Sequence, residues 1–445
     1  AAFQCARSGI EVELFEMRPV RSTPAHQTAD FAELVCSNSL KSASENTAPW
    51  LLKEEMRRGG SRLLQAADET AVPAGHALAV DRAAFAQAVT RAIESEPLIK
   101  VHREEVTSID ENSGITIVAT GPLTSDALSR DIARLCESSH LFFYDSISPI
   151  VDADSIDMSR VYLAARYDKG TADYINCPMS KDEYDRFYDA LVSAESAEQH
   201  DWESLNYFES CLPIEEIARR GRDTLRFGPM KPVGLRDPRT GQQPYAVVQL
   251  RQENLRADSY NLVGFQNHLK WGDQARVLRL IPGLENAKFL RFGQIHRNTY
   301  INAPTLLRET LQMRAHPRVF FAGQICGVEG YVESIAMGQV AGILAARLAA
   351  CPAFDAPDVG AADVGNSPPT LTPPPRETAI GSLLHYITHA SAKNFQPANI
   401  TFDLLLPLDE ATRRRVRDKK ERHRLQCEHA LAGFDRWLAS ALASV

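Results

Sequence analysis

One run near residue 320 restricts the fold more than any other. Arg318-Val319-Phe320-Phe321-Ala322 reads as a buried strand, and Gly323, Gly327 and Gly330 space the loop that follows. From Tyr331 onward, Ala336, Gly338, Ala341, Gly342, Ala345 and Ala346 make a helix with a narrow flank that another element can approach closely. A strand, a glycine loop and a helix N-terminus in that order aim backbone N–H groups at one point. That is a cradle for an anion or an electron-rich ring edge.

The start of the chain carries a second piece of the same kind. Ala1 to Ser8 reads as helix, Gly9 as its stop, and Ile10 to Glu16 as a short strand with alternate apolar residues and an acid at its end. This order is the second half of a βαβ dinucleotide unit, in which Glu16 takes ribose hydroxyls or else is a solvated strand end. The expectation is that a first strand and a Gly-rich turn precede Ala1 and are missing from the sequence. Val101 to Asp110 and Ile115 to Gly121 read as a strand pair. The second strand ends in Ala119-Thr120-Gly121, a turn frequent in flavoproteins with two dinucleotide sites, where Gly121 lets backbone approach the cofactor. Residues 81 to 95 read as a helix capped by Asp81, with Ala84, Phe85, Ala88, Val89 and Ile93 on one face. Arg82, in its first turn, is either a phosphate contact or a surface charge.

The expected fold is α/β: a Rossmann-like dinucleotide-binding domain interrupted by an α+β insertion. Its first part is 1–155, the insertion 156–305, its second part 306–400, and 401–445 a basic helical tail. Within the insertion, a helix is expected around Asp182 to Ala190 and strands at Tyr245 to Leu250 and Tyr260 to Phe265. Residues 17–50 form a long polar loop of the kind that often carries function, and 352–375 a Pro-rich linker. The 445 residues include 49 Lys plus Arg and 57 Asp plus Glu, a net charge of −8. That balance excludes a non-specific nucleic-acid coat but not a local basic patch. One such patch is 412–425, with cations at 413, 414, 415, 417, 419, 420, 422 and 424; it is either a solvated helix face or a phosphate-backbone contact. The eight cysteines form no CxxC pair and no Cys/His spacing reads as zinc, so no metal is expected, and scattered thiols suggest a reducing cytoplasm. No apolar run reads as a membrane span; the most apolar stretch, 335–350, is interrupted by Gly338, Gln339, Gly342 and Arg347.

An ordered set of stretches resembles one family. They include Phe15-Glu16-Met17-Arg18-Pro19, Pro24-Ala25-His26, Phe31 to Ser39, Leu52-Lys53-Glu54-Glu55-Met56 and Val72-Pro73-Ala74-Gly75. Phe227-Gly228-Pro229-Met230-Lys231-Pro232-Val233-Gly234-Leu235, His268 to Gln274, His296 to Asn302, Phe321 to Ser334 and Lys393-Asn394-Phe395-Gln396-Pro397 complete it. Over residues 1 to about 407 the chain resembles the bacterial folate- and FAD-dependent tRNA (uracil-5-)-methyltransferases, relatives of the GidA flavoproteins. The resemblance implies a glutathione-reductase/GidA-type FAD domain in a cytoplasmic enzyme. It would methylate carbon 5 of the T-loop uridine (position 54) of tRNA, with 5,10-methylenetetrahydrofolate as carbon donor, FAD as carrier of the methylene and reductant, and NAD(P)H as the source of reducing equivalents. It implies cofactor contacts at Glu16, Arg18, Arg82, Thr120, Gly121, Gly323, Gln324, Gly327, Gly330 and Tyr331. Gln324 departs from the pattern, since many relatives have Asp there. Two other readings stay open: a GidA-like wobble-uridine enzyme or other flavin oxidoreductase, and a tRNA-binding fragment without flavin.

Carbon 5 of uracil is a poor nucleophile until a thiolate adds to carbon 6, so this chemistry calls for an activated cysteine. Cys211 precedes Pro213, a good first helical residue, and would lie just before a helix N-terminus, which favours thiolate. Cys36 lies in the polar Cys-Ser-Asn-Ser segment of the long loop. The family motifs carry both, and either could be the nucleophile, with Cys211 preferred. Cys5, Cys136, Cys177, Cys351 and Cys427 read as small buried hydrophobes, and Cys326 as packing beside the flavin. Tyr331 is expected to stack on pterin or base, or else to be a core aromatic. His296, Arg297 and Asn298 are expected to bind folate or RNA, and Lys231, Lys270 and Lys393 to contact phosphate.

Overall fold

The structure, a computed structural model, describes residues 1–442 except 24, 113, 122, 138–140, 169–170, 197–211 and 352–370, and backbone only at 141–146 and 295–298. Two hydrophobic clusters organise it. One gathers side chains from Cys5 to Ile109, from Val118 to Cys136, and from Tyr300 to Ala441. The other runs from Val151 to Ala287, with Phe289 packed against it.

The first cluster is built on parallel strands. Val12–Phe15 pairs with Ile99–His102, and Thr116–Val118 pairs with Val319–Phe321, both in parallel. The expected pairing of Val101 to Asp110 with Ile115 to Gly121 is therefore corrected: the two segments belong to different pairs. Short apolar strands of this kind carry no mark of their neighbour, and crossover helices choose it. Helix Arg82–Glu94 forms as its pattern dictates. Asp81 Oδ1 accepts the Ala84 N–H at 3.0 Å, and Phe85, Val89 and Ile93, four residues apart, are buried.

Helix Tyr331–Ala349 runs through this core. By length and apolarity it could cross a membrane, contrary to the sequence reading, but 72% of its apolar window is buried inside the fold. Its small residues admit helix Ala2–Arg7. A Cβ at Gly342 would stand 2.4 Å from the Ala1 carbonyl oxygen, so only glycine permits the contact.

Residues 401–445, read from sequence as a basic tail, carry helices Glu410–Arg415 and Lys419–Leu442 rather than one continuous helix. Cys427, Ala430, Leu431, Phe434 and Trp437 bury the second helix in the first cluster, while Arg413, Arg414, Arg415, Arg417, Lys419 and Lys420 stay exposed.

The second cluster is covered by a six-stranded antiparallel sheet ordered Phe289–Arg291, Ile150–Asp152, Ser259–Leu262, Ala246–Gln252, Ile175–Met179, Tyr162–Leu163. Helix Lys181–Val192 packs Tyr184, Phe187 and Leu191 into it and starts at a capping box between Ser180 and Glu183. A two-stranded ribbon, Leu141–Ser146 against Ile295–Tyr300, carries the chain out to this unit and back.

A buried carboxyl secures the C-terminal part of the first cluster. Glu55, fully buried on helix Ala48–Arg58, accepts the N–H groups of Ala379 and Ile380 at 2.7 and 2.9 Å and so caps helix Ala379–His389. Burial outweighs these bonds and raises its pKa from 4.5 to about 8. A carboxyl raised on folding contributes stability that is complete below its unfolded value and is lost as pH climbs through the folded one. Lys53 is lowered by burial to about 8 and remains charged in folded and unfolded states at lower pH. Between pH 5 and 8 the stability should fall, and Glu55→Gln should flatten that fall. Thermal melts across this range check it; parallel pH profiles for both proteins would contradict the assignment.

Candidate functional site

The parallel pair Thr116–Val118 and Val319–Phe321 places two turns side by side at its carboxyl end. Phe321 is in register with Val118, and Ala322 N–H bonds the Val118 carbonyl at 2.9 Å, so Thr120 and Gly121 leave beside Gly323 and Gln324. Ligands of open α/β sheets bind at this end. Gly121, Gly323, Gly327 and Gly330 have φ of 67°, 82°, 91° and 111°, the left-handed side that disfavours other residues. Thr120 Oγ1 lies 2.6 Å from Thr124 Oγ1, and Gln324 donates its amide to Glu329 Oε2 at 2.8 Å in a buried setting. The 19-residue helix Tyr331–Ala349 begins at Gly330 with no side-chain cap. A Cβ at Gly330 would intrude within 2.5 Å of Glu333 and 2.7 Å of Lys41. An uncapped long helix behind a glycine loop suits a dinucleotide, so the residues present fit FAD.

The long loop is fastened against this helix start. The Cys36 N–H donates to the Tyr331 hydroxyl at 2.8 Å. Burial, then the charge at Cys36, pushes that phenol's pKa well up. Tyr331 is thus buried and bonded to the loop. Arg82 donates to the Leu34 carbonyl at 2.6 Å, the Cys36 carbonyl at 3.3 Å and Glu253 Oε2 at 2.5 Å. Its guanidinium is committed to the loop and to the second unit; neither a surface charge nor a phosphate contact describes that placement. Arg251, 7% exposed, donates to Asn38 Oδ1 at 2.9 Å and Ser37 Oγ at 2.8 Å, and Asn38 donates back to the carbonyls of Val80 and Gln252. Lys41 Nζ reaches Glu333 Oε1 at 2.5 Å and Asn399 Oδ1 at 2.8 Å. The fully buried Lys53 donates to the carbonyls of Leu40 and Ser42, both at 2.8 Å. Arg82 and Arg291 both lie close enough to Cys36 for their charges to couple to it, surroundings that favour thiolate.

Glu16 follows strand Val12–Phe15 and is clasped by Arg18, which gives it Nε–H and a backbone N–H at 2.9 Å and Nη2 at 3.1 Å. Burial works against ionisation, but the Arg18 bonds prevail and hold the Glu16 carboxyl below its ordinary range. A carboxylate has about four acceptor sites, and three are filled here, which leaves room for a hydroxyl. Arg18 itself is buried and also reaches Glu33 and the Thr28 carbonyl.

Other expected residues lie elsewhere. Cys211 lies outside the described residues; Pro213 stands one place earlier than expected, as N-cap of helix Ile214–Arg219. His296, Arg297 and Asn298 fall on the connecting ribbon, opposite Asp145, Tyr144 and Phe143, with backbone alone described. Lys231 and Lys393 are exposed, and Lys270 pairs with Glu195 at 2.6 Å. Sequence reasoning missed Arg251, Glu253, Lys41, Glu333, Arg291 and the buried pair of Glu215 with His268, at 2.6 Å. A signal existed for two of them: Arg251 and Glu253 are charges ending an apolar run. The thiols of Cys5, Cys136, Cys177, Cys326 and Cys427 are buried, and burial raises each pKa, to about 11 at Cys136 and about 12 at Cys326 and Cys427.

The family model "Glucose inhibited division protein A" matches residues 1–351. The chain is 74% identical over 441 residues to the methylenetetrahydrofolate–tRNA-(uracil-5-)-methyltransferase TrmFO of Koribacter versatilis, covering 99% of this chain and 96% of that one. It is 61% identical to that of Solibacter usitatus, with 98% and 95% covered. The chain belongs to the TrmFO family. Two crystal forms of Aquifex aeolicus GidA superpose with a TM-score of 0.67 at 17% identity, covering 99% of this chain and 71% and 73% of theirs. That likeness shows a shared fold, whereas identity over nearly the whole length separates TrmFO from the wobble-uridine alternative.

The clamp on the Cys36 loop generates a prediction. Arg82→Ala strands the Glu253 carboxylate, whose side chain is 5% exposed, and should cost about 3–5 kcal/mol. Arg82→Ala with Glu253→Gln should recover part of that loss. Denaturant unfolding of the three proteins checks it; a single-variant loss below about 1 kcal/mol would show that the pair is not structural.

Proposed function

We propose that this chain methylates carbon 5 of the T-loop uridine of tRNA, taking the carbon from 5,10-methylenetetrahydrofolate in the cytoplasm. The observation that carries the reading is the fastening of Cys36 to Tyr331 at the uncapped helix start, together with membership of the TrmFO family. FAD is held by the two glycine turns, with Glu16 on its ribose hydroxyls and Gln324 and Gly327 lining the cradle. Bound there, FAD supplies carriage of the one-carbon unit and the reducing equivalents that make the transferred carbon a methyl group, and NAD(P)H restores them.

The chain's own residues do the remaining work. A cysteine loses its proton and its sulfur bonds to carbon 6 of uracil, placing the electron pair on carbon 5. After carbon 5 has bonded to the one-carbon unit it loses its proton, and that electron pair releases the unit from its carrier as an exocyclic methylene; addition of a hydride equivalent to the methylene makes it a methyl group, re-forms the ring double bond and expels the thiolate. We assign the nucleophile to Cys211 and a flavin-facing role to Cys36, whose arginine neighbours suit a thiolate. Tyr331, with its hydroxyl bonded to the loop, fixes the loop rather than stacking freely. His296, Arg297 and Asn298, on the ribbon between the two units, take folate or RNA. Lys231, Lys270 and Lys393 with the exposed run 413–420 supply phosphate contacts. Trp271, 69% exposed beside Lys270, offers a face for an unstacked base.

Two experiments test this. Cys211→Ala should abolish formation of 5-methyluridine in unmodified tRNA while the flavin absorption stays unchanged; retained turnover refutes the nucleophile. Truncation at 409 would remove core helix Lys419–Leu442, so the basic run is tested by substitution. Arg413→Glu, Arg415→Glu and Arg417→Glu together should weaken tRNA binding and flatten its salt dependence by about one log–log unit per lost contact; an unchanged slope refutes the contact.

A further inference from the structure

A cluster outside the cofactor cradle has no part in this chemistry. His385 and His389 stand four residues apart on helix Ala379–His389 and project from one face, rings stacked at 4.2 Å and 17°. Glu309, from the segment before strand Val319–Phe321, brings Oε1 to 3.2 Å from His385 Nδ1 and 3.6 Å from His389 Nδ1. One donor atom from each of the three lies within 4.8 Å of the others. Two ligands about 2.0–2.1 Å from a tetrahedral ion are about 3.4 Å apart, and the measured spacings bracket that value.

Both supports are fixed before any ion arrives. The helix is held by the Glu55 cap and by buried Ile380, Leu383, Leu384 and Ile387. The Glu309 segment is closed by a bridge between Leu307 and Met313 and by Gln312 donating to the Pro317 carbonyl at 2.7 Å. The three side chains are 38%, 42% and 52% exposed, so an ion can enter and keep water in its remaining position. His389 Nδ1 also contacts Thr388 Oγ1 at 3.0 Å and the His385 carbonyl at 3.2 Å. Near-parallel rings must turn for their lone pairs to converge, and binding exchanges those local contacts for the ion.

We propose that Glu309, His385 and His389 form a site for a divalent transition-metal ion of the zinc, cobalt or nickel class. Two imidazoles and one carboxylate suit these ions and not the hard, all-oxygen cations magnesium and calcium. The ion would staple helix Ala379–His389 to the segment that leads into the cradle strand, a stabilising role that does not depend on the methyl-transfer reading. The sequence reading, which finds no Cys/His spacing for a metal, passes over His385 and His389, and the third member stands 76 residues upstream.

The test uses the full-length, flavin-bound protein stripped with a chelator and titrated with Co2+ and Zn2+, read by Co2+ absorption, calorimetry and melting temperature. One saturable equivalent is expected, with a rise in melting temperature of a few degrees. The variant His385→Ala/His389→Ala should lose that equivalent, and Glu309→Gln should weaken it at least tenfold. If the double variant lacks a melting transition, His389→Ala at the most exposed ligand takes its place, with the same tenfold criterion. No saturable equivalent in the parent protein, or undiminished binding in the variants, overturns the site.

Discussion

Enclosing the polar segment Cys36-Ser37-Asn38, half-buried at its first two residues and fully buried at the third, between two hydrophobic units is the constraint on which this structure turns. A loop rich in hydrogen-bonding groups can be buried only if those groups find partners. Arg82 and Arg251 supply most of them. Arg251 is buried and Arg82 nearly so, and each has a counter-charge or amide network that makes this tolerable: Glu253 accepts Arg82 Nε on Oε2 and both Arg82 Nη2 and Asn261 Nδ2 on Oε1, while Arg251 donates to Asn38 and Asn261. Because Arg82 comes from the first unit, and Arg251 and Glu253 from the end of strand Ala246–Gln252 and the residue just beyond it in the second, closing the loop also fixes how the two units meet. The interaction that orders the Cys36 segment and the one that sets how the two units meet are the same.

The same economy holds at the other end of the loop. Lys53 ties strand Ser39–Ser42 to helix Ala48–Arg58, and two residues later Glu55 ties that helix to the start of helix Ala379–His389. Lys41 then joins the strand to Glu333 in the first turn of the cradle helix, whose Oε1 also accepts the Ile400 N–H at 3.0 Å. Single ionisable groups thus join one element to the next: Lys53 and Glu55 take backbone carbonyls and N–H groups that their strand or helix would otherwise leave open, and Lys41 takes the side chains of Glu333 and Asn399.

How far the sequence could be read follows from this division. Local grammar was fully legible: Asp81 as a cap, the apolar stripe at 85, 89 and 93, and the glycine spacing that gives the cradle its left-handed turns. Pairing was not. The strand at 99–102 and the strand at 116–118 are near neighbours in sequence, yet each takes a parallel partner across a crossover, and nothing in three or four residues names that partner. Nor was the use of the long charged side chains. Arg82 looks the same in sequence whether it meets phosphate or a buried glutamate, and the choice lies with Glu253, 171 residues away. The basic run at 413–424 likewise gave no sign that the helix beyond it would bury Phe434 and Trp437 in the cofactor domain's core.

Burial also sorts the thiols, and does so by chemistry. A thiolate must be solvated or compensated, so a cysteine among aliphatic side chains is held as the thiol: Cys177, Cys326 and Cys427 are fully buried, with pKa values pushed upward. Cys326 is instructive, because it lies inside the glycine loop, and its Sγ donates to the Gly323 carbonyl at 2.9 Å. Nearness to the cradle does not make it reactive; its bond to a backbone oxygen requires the proton that a nucleophile must give up. Cys36 is the opposite case. It is half-buried, its backbone is held by Tyr331 and Arg82 at both N–H and C=O, and two arginines couple to it. The bonds to its main chain position the residue, and the side chain lies beside the Tyr331 phenol and within reach of two positive charges.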